Sequence, residues 1–525
     1  MNLLQSNKRT PRGAVQLSVI GLLVVAFISA IIMGSLIAQG DFLTAYLGLL
    51  VVLGVVALQQ LKSTFWLAIP FAMVSQLPAI SIIVASLTLG ELWILASIVF
   101  VSVYWVLERR KLSLFFSGPG IWMYAYLAIA VIVLVQNPVG LGFTGASMGG
   151  LRHYIKIILG FVAFFIIANS TMGEKNAQRI VVLLIIGVGT ETVFKLSGAF
   201  IPQIAYLTAS AAGGGGESGF YGWSQLMAVF PSVAMPFIFA RYTISDILNP
   251  KRWWVVLVVL ILVGMALISG KRSLAMLVLI YPCLLAFIRG NVLVAASFAM
   301  AGCIGLAGLY GVHASGMALP KTTQRVLSVL PGVEGLDREV ASSADNTFRE
   351  TLNRFALRDI RERPLLGEGF TVNQEMLFYL ETNPDKVLES RDHAQGAQYA
   401  ATSNWHNTWL GIAADFGIPA AIVYALLVIS FIMFARKLLK RLDPKGYQWT
   451  LVAALLAIMI GELLRSWQFG HASLTYWGVS WRVGVLFAVQ NWLRQDAAEK
   501  AAQQNEQVGS SVQQMSNQSF AKSRL

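Results

Sequence analysis

Charged residues are scarce in this chain: Asp, Glu, Lys and Arg make up 12% of its 525 residues, whereas 56% of the residues are hydrophobic. A soluble protein of this length carries about twice that charged fraction, so a soluble enzyme and a disordered protein are both excluded. Cysteine is scarcer still, because Cys283 and Cys303 are the only two and both fall within apolar runs, which excludes a disulfide scaffold. The composition therefore predicts one polytopic membrane protein of the all-α class.

Long apolar runs dominate the sequence, whose mean hydropathy is +0.66. A membrane-spanning helix needs roughly 20 predominantly apolar residues. The first run is too long for a signal-peptide core and is expected to remain as a membrane anchor. We predict about 14 transmembrane helices, at residues 13–38, 42–58, 65–85, 92–107, 121–135, 154–168, 180–200, 220–240, 253–268, 273–288, 292–312, 408–434, 449–464 and 474–492.

The distribution of charge along the chain orients these helices. With residues 1–12 as a cytoplasmic tail, the inner loops and the two tails receive 22 of the 39 Lys and Arg residues, and the densest group lies at residues 436–445. The net charge of +13 is then explained by loops that face anionic lipid, rather than by nucleic-acid binding. Residues 13–312 hold transmembrane helices 1–11 and residues 407–493 hold helices 12–14. Residues 494–525, rich in Gln, Ser, Ala and Asn, are predicted to be a disordered cytoplasmic tail.

One polar segment, residues 313–406, is too long for a simple connection and is predicted to be a large outer loop that contains helices. A helix cap at Asp345-Asn346 predicts a helix that runs to about Arg363. A second outer loop contains four consecutive glycines at residues 213–216, and their conformational freedom suits a lid hinge.

Basic residues on the outer half of the protein are informative because the orientation rule does not explain them. Arg152 and Lys156 lie one turn apart on one helix face. Arg482 lies about two turns into the last span, where a charge is costly and is expected to meet an anion or a buried carboxylate. Arg272 lies at the outer end of its span. We predict that these four residues bind a phosphate or diphosphate group, for which arginine offers forked donors.

Ordinary ion pairs are the alternative for some of these outer cations. Glu191 is placed to neutralise Lys195 at a spacing of four residues, and Glu462 is placed to neutralise Arg465. Arg152 and Arg272, in contrast, have no acid nearby in the sequence.

The strongest local signal surrounds His406, where the outer loop returns to the membrane. A helix dipole at this position disfavours the imidazolium form, so a neutral ring that acts as a general base is one interpretation and a capping histidine is the other. Trp405 and Trp409 fit either an interfacial belt or a platform for sugar rings. Asp415 is an acid within the membrane beside a predicted kink at Gly417, where it either orients a neighbouring arginine or satisfies backbone groups.

These residues together resemble the signature of the O-antigen ligase and Wzy-type polymerase superfamily. The resemblance rests on Arg349, Arg354, the run from Arg363 to Phe370 (sequence RPLLGEGF), His406-Asn407 and the run from Asp415 to Pro419 (sequence DFGIP), with Ser269-Gly270-Lys271-Arg272-Ser273 upstream. The order of these motifs and the long outer loop make the set specific. Two departures concern fine geometry: Ser273 stands where the family has glycine, and Asn353 where many members have tryptophan.

The resemblance implies an inverting, metal-independent glycosyltransferase with a GT-C-like fold, whose 313–406 loop faces the periplasm and whose membrane is the bacterial inner membrane. It implies that the donor is a glycan linked to undecaprenyl diphosphate, with a chain-length-regulating co-polymerase as a further partner. Arg272 and Arg349 would bind the diphosphate, and His406 would activate the acceptor hydroxyl. Arg354, Trp405, Asn407 and Trp409 would contact sugar or acceptor, and Asp415 would act as an orienting acid.

The residues themselves are consistent with that chemistry. A diphosphate is a good leaving group, so cations that stabilise it and one base suffice, and we predict no metal and no cofactor. The nearest approach to a metal-binding acidic pair, Asp337-Arg338-Glu339, is interpreted as a solvated loop. The leading hypothesis is a polymerase that extends a lipid-linked polysaccharide. The alternatives are a ligase that transfers the finished chain to lipid A–core or another acceptor, a lipid-glycan transporter, and a scaffold protein without catalytic activity.

Overall fold

The computed structural model describes residues 62–74, 89–107, 112–138, 150–197, 229–247, 249–269, 271–317, 319–328, 347–370, 405–466 and 472–522, with a few isolated residues between them. The chain divides into two units, Met1–Trp66 and Leu67–Leu525. The first unit is described only from Lys62 onward. The predicted spans at residues 13–38 and 42–58, the glycines at 213–216 and the acidic pair at 337–339 lie outside the described residues.

The described residues form helices and no strand. The α-helices are α1 (Ala68–Val74), α2 (Leu89–Leu107), α3 (Pro119–Gln136), α4 (Leu151–Ala168), α5 (Glu174–Ser197), α6 (Val229–Arg241), α7 (Ile244–Ile247), α8 (Trp253–Ile268), α9 (Arg272–Ile288), α10 (Val292–Ala314), α11 (Lys321–Leu327), α12 (Thr347–Glu362), α13 (Thr408–Phe416), α14 (Ile418–Leu439), α15 (Tyr447–Arg465) and α16 (Ala472–Lys522). Short 3-10 turns occupy Lys62–Leu67 and Pro250–Arg252.

Five helices of the described part are long and apolar enough to cross a membrane: α3, α8 with the turn before it, α10, α14 and α15. Helices α4, α6 and α9 are shorter but also apolar. The protein is therefore an all-helical integral membrane protein, as predicted. Cys283 and Cys303 both carry free thiols, which agrees with the absence of a disulfide framework.

Two sequence predictions about helix boundaries are corrected. The span predicted at residues 408–434 is two helices, because Gly417, with a φ of 83°, ends α13 and precedes α14. Residues 494–522 of the tail predicted to be disordered instead continue α16, and the side chains described there, up to residue 508, are mostly exposed. The Ala, Gln, Glu and Lys residues of the tail are good helix formers, so local propensity outweighs the low hydrophobicity that predicted disorder.

Helix α15 occupies the middle of the bundle, with buried side chains on all of its faces. Helices α4 and α16 pack closely because glycines let their backbones approach. A Cβ atom added to Gly484 would lie 2.9 Å from the Cβ of Ile167, and one added to Gly160 would lie 3.1 Å from the Ser480 hydroxyl. Helix α10, in contrast, buries none of its apolar residues in the membrane-length window, which is typical of a lipid-facing helix.

The directions of α9, α14 and α15 define two ends of the bundle. Helix α14 begins beside the histidine segment, and α15 runs back after a short connection. The guanidinium of Arg289, which follows α9, lies 5.1 Å from the centroid of the Trp449 ring near the start of α15. Arg272 at the start of α9 therefore shares one end with His406, here called the His406 end, and the other is the Arg289 end.

Candidate functional site

His406 directly precedes the residue that caps α13. The Asn407 side chain accepts hydrogen bonds from the backbone N–H groups of Trp409, at 3.1 Å, and Leu410, at 3.2 Å. The Thr408 N–H donates to the Ser466 carbonyl at 2.8 Å, and the Trp409 indole N–H donates to the Ser466 hydroxyl at 2.7 Å. These bonds fix the backbone at His406 against the end of α15.

The segment at residues 364–370, which contains the glycine-rich motif, forms a turn that packs on the break between α13 and α14. The backbone N–H of Glu368 donates to the Ala414 carbonyl at 3.0 Å, and that of Gly369 donates to the Asp415 carbonyl at 2.7 Å. In return, the Ile418 N–H donates to the Pro364 carbonyl at 2.8 Å. The motif therefore satisfies the backbone groups that the break exposes.

Glycine is required on both sides of this contact. Gly367 has a φ of 61° and Gly417 has a φ of 83°, a region that other residues rarely adopt. A Cβ atom added to Gly367 would lie 2.5 Å from the Ala414 carbonyl oxygen, and one added to Gly417 would lie 2.7 Å from the Leu366 nitrogen. The two glycines thus let the turn and the helix break approach closely.

Trp405 and Asp415 form a buried hydrogen bond beside this contact. The indole N–H of Trp405 donates to Asp415 Oδ1 at 2.8 Å, and the two residues are 4% and 1% exposed. The tryptophan ring packs with Leu352 and Ala356 of α12 and with Ala414 of α13. The segment before α13, the break after it and helix α12 of the large loop are therefore held in one packed unit.

Four basic groups are brought together by this packing. The charge of Arg349, on α12, acts on His406, while the charges of Arg349 and Arg325 both act on Arg272 at the start of α9. Burial, and secondly Arg325, lower the pKa of Arg349. Like charges gathered in a partly buried place are the arrangement expected of an anion-binding site. We call Arg272, Arg325 and Arg349 the arginine cluster.

The electrostatic environment of His406 favours its neutral form. Burial is the largest cause that lowers the pKa of His406, and the positive charge of Arg349 is the second. Both causes disfavour the imidazolium form, so the ring is available to accept a proton at neutral pH. The lowered pKa of His406 agrees with the expectation from the sequence. The sequence argument attributed it to the helix dipole, whereas the causes in the structure are burial and the charge of Arg349.

Arg325 is the member of the cluster that sequence reasoning missed. It lies on α11, a helix of seven residues within the large loop that packs beside α8 and α9. The orientation rule singles out cations in short loops and spans, and it does not single out a cation within a long outer loop. The sequence feature that could have indicated Arg325 is its position shortly after the eleventh predicted span.

The four residues predicted to contact sugar or acceptor differ in their surroundings. Trp405 is buried by α12 and bonded to Asp415, so its ring faces offer no platform to a sugar. Asn407 is 4% exposed and its side-chain oxygen caps α13, so its role is to position His406. Arg354 lies on the exposed side of α12, away from the face that packs on α13. Trp409 is half-buried and anchored through its indole N–H.

Arg482, predicted to bind the diphosphate, instead pairs with Glu462 across α15 and α16. Both guanidinium Nη atoms donate to the carboxylate, one of them at 2.6 Å, and Arg482 is 7% exposed. Of the two partners that the sequence left open, the structure shows a carboxylate, that of the partly buried Glu462. The predicted Glu462–Arg465 pair is corrected in the same way, because Arg465 acts on Glu462 only as a nearby charge.

The remaining predicted residues lie on α4 and α13. Arg152 and Lys156 are one turn apart on α4, where Lys156 is half-buried and the side chain of Arg152 lies outside the described residues. The Asp415 carboxylate accepts a hydrogen bond at Oδ1 from the Trp405 indole N–H.

Comparison with known proteins supports the family resemblance. No curated protein matches the chain. The family model described as O-antigen ligase matches residues 256–425, a range that contains the arginine cluster, His406, the glycine-rich turn and the helix break. Residues 256–425 are therefore similar to the O-antigen ligase family.

Proposed function

We propose that this protein is a membrane glycosyltransferase that moves a glycan from undecaprenyl diphosphate to a sugar hydroxyl. The observation that supports this most directly is the arginine cluster, whose member Arg349 is also within electrostatic reach of His406. A cluster of guanidinium groups suits a diphosphate, because each offers paired donors to the phosphate oxygens.

The reaction needs no covalent intermediate in this proposal. The acceptor hydroxyl attacks the anomeric carbon, and the bond between that carbon and the diphosphate oxygen breaks. The hydroxyl proton passes to the neutral ring of His406, while the diphosphate leaves with the bonding electrons. The arginine cluster stabilises the negative charge that grows on the leaving oxygen. Attack from the face opposite the leaving group inverts the anomeric configuration.

The acceptor that we propose is another lipid-linked repeat unit, which makes the protein a polysaccharide polymerase. A ligase is the second candidate, because the matching family model is described as O-antigen ligase. The two candidates share the donor and the chemistry of His406, and they differ in the acceptor.

We further propose that the site faces the periplasm from the inner membrane, with both termini in the cytoplasm, and that a co-polymerase regulates chain length.

Substitution of His406 by alanine tests the chemistry. Purified His406→Ala protein, incubated with a lipid-linked glycan, should form no detectable product while it still binds the donor, because the base is lost and the cations are not. Arg349→Gln should weaken donor binding by about 10-fold or more, since a charge-assisted hydrogen bond contributes about 1.5–3 kcal/mol.

Arg354→Gln is the matched control, since Arg354 lies on the exposed side of the same helix. It should leave both binding and product unchanged. Product formed by His406→Ala at the wild-type rate would reject the general base, and a transporter or scaffold function would then be preferred. Equal effects of the Arg349 and Arg354 substitutions would reject the arginine cluster as the donor site.

The acceptor decides between the two candidates. Lipid-linked repeat units supplied alone should give a ladder of chain lengths if the protein is a polymerase. A ligase should give no ladder and should transfer glycan only when lipid A–core or another acceptor is added.

A further inference from the structure

A large groove opens at the Arg289 end of the bundle, far from the arginine cluster. It has a volume of about 1180 Å³ and lies between α6, α9, α14 and α15 and the connections that follow them. Arg436 and Lys440 lie about 18 and 22 residues beyond the start of α14, so the basic part of the groove is about 27–33 Å from the His406 end. The apolar part of the groove extends towards that end as far as Ile432 of α14 and Ile460 of α15. Nothing in the proposed transfer reaction uses this groove.

Positive charge dominates the lining of the groove. Of the described residues that line it, Asp246 is the one carboxylate, and it pairs with Arg252. The basic residues that line it are Arg241, Arg252, Arg289, Arg436, Lys440 and Lys445. Asp246 also acts electrostatically on Arg289, but it forms its salt bridge with Arg252, so the other five cations face a single carboxylate with which they make no salt bridge.

Two of these cations are held in place by neutral partners. The guanidinium of Arg241 donates to the Lys445 carbonyl and lies 4.2 Å from the centroid of the Tyr447 ring. The guanidinium of Arg289 donates to the Ala240 carbonyl and stacks over Trp449. Aromatic rings and carbonyl oxygens orient a guanidinium without cancelling its charge, so the groove keeps a strong positive potential.

The rest of the lining is apolar and aromatic. Leu284, Phe287, Ile432 and Ile460 form its walls, and all belong to membrane helices. Trp254 lines the groove while it is 45% exposed, as expected of a side chain at the boundary between lipid and water. A ligand that fits this lining has an anionic group at one end and an aliphatic part at the other.

We propose that this groove binds an anionic phospholipid, with its phosphate among the five cations and an acyl chain along the apolar walls. Basic pockets between membrane helices are typical sites for such headgroups. The position also agrees with the inner side of the membrane in the orientation expected from the sequence, where anionic lipid is available. The lipid would fill the space between α9 and α14 at this end.

The substitutions that test this proposal remove charge without removing a structural contact. Arg436 and Lys440 are exposed, lie one turn apart on α14 and its end, and line the groove. Lys437 and Arg441 are also exposed and one turn apart, but they do not line the groove. The double variants R436Q/K440Q and K437Q/R441Q therefore each lose two positive charges at the end of α14, and only the first alters the lining of the groove.

Native mass spectrometry of the full-length protein in detergent, titrated with phosphatidylglycerol or with phosphatidylcholine of the same chain length, measures the binding. Wild type and K437Q/R441Q should retain phosphatidylglycerol in preference to phosphatidylcholine. R436Q/K440Q should bind phosphatidylglycerol about 10-fold more weakly than the control pair, while its thermal midpoint is unchanged.

Three results would overturn the proposal. Equal weakening in the two variants would mean that binding follows total charge and not the groove. Equal retention of the two lipids would mean that the anionic headgroup is not recognised. Displacement of phosphatidylglycerol by an equal concentration of inorganic phosphate would mean that the site recognises free phosphate and not a lipid.

Discussion

The contact between the glycine-rich turn and the helix break yields a sharp prediction, because Gly417→Ala should destabilise the fold far more than an ordinary glycine substitution. Gly417 has a φ of 83°, and a Cβ atom added there would meet the backbone of Leu365 and Leu366. Backbone atoms cannot rotate away as a flexible side chain can. The turn at residues 364–370 would have to move away from α13.

The expected cost of this movement has two parts. Gly417 has a φ of 83° and a ψ of 167°, a region that glycine almost alone adopts, so an alanine there costs about 1–3 kcal/mol on its own. Separation of the turn from the break removes the three backbone hydrogen bonds that link residues 364, 368 and 369 with residues 418, 414 and 415, and each contributes about 1 kcal/mol. The sum is about 4–6 kcal/mol, and the loss should also displace His406 and lower product formation.

Alanine substitutions at two other glycines distinguish the cost of backbone strain from the cost of losing the contact. Gly290 has a φ of 79° with no atom near its missing Cβ, so Gly290→Ala should show the backbone strain alone. Gly308 has ordinary helical backbone and the same open space, so Gly308→Ala should be neutral or slightly stabilising. Thermal unfolding of the three variants in detergent gives the order. If Gly417→Ala unfolds at the same temperature as Gly290→Ala, the turn does not pack on the break as described.

Two further predictions concern acids, namely the buried Asp359 and Glu462, which pairs with the buried Arg482. Burial, and secondly the charge of Glu368, raise the pKa of Asp359 to about 6, so its ionised form opposes folding by up to about 3 kcal/mol at pH 7.5, and this cost is lost as the pH falls from about 6 to about 4. Asp359→Asn should therefore raise the thermal midpoint at pH 7.5 and leave it unchanged near pH 4; a constant difference would contradict the assignment. Glu462→Gln should destabilise the protein by about 3–5 kcal/mol, because it leaves the buried charge of Arg482 unpaired, and adding Arg482→Met should restore most of the loss. An unchanged midpoint in Glu462→Gln would mean that another group neutralises Arg482.

Much of the architecture could be predicted from the sequence because membrane insertion leaves few choices. Apolar length indicates spans, and α8, α9, α10 and α15 begin and end within two residues of the predicted spans. Helix α5, in contrast, begins six residues before the predicted position, and the span predicted at 408–434 is broken at Gly417. The loop helix Thr347–Glu362 ends where Pro364 and Gly367 predicted. The order of the motifs also indicated the family, which the match over residues 256–425 confirms.

The roles of individual side chains could not be predicted in the same way. A tryptophan beside a histidine looks the same in the sequence whether it stacks on a ligand or fills a core, and Trp405 fills a core. Asn407 caps α13, although its position next to His406 predicted a contact with sugar or acceptor. Arg482 finds its carboxylate 20 residues away on another helix, a pairing that spacing along one helix does not reveal.

The arginine cluster and His406 are coupled, and this has a consequence for the pH dependence of the proposed reaction. In the free enzyme, burial and the charge of Arg349 lower the pKa of His406. A bound diphosphate brings negative charge to the same arginines, which opposes the effect of Arg349 and raises the pKa of His406 again. Because activity falls as a base becomes protonated, the acid limb of kcat should lie at higher pH than that of kcat/KM.

Substitution of Arg349 by glutamine should bring these two limbs together. The substitution removes the charge that lowers the pKa of His406 in the free enzyme, so the limb of kcat/KM should move to higher pH while that of kcat moves less. Arg354→Gln, on the exposed side of the same helix, should leave both limbs in place. If the limbs already coincide in the wild type, the donor does not bind close enough to Arg349 to alter the base, and the shared site of diphosphate and histidine is wrong.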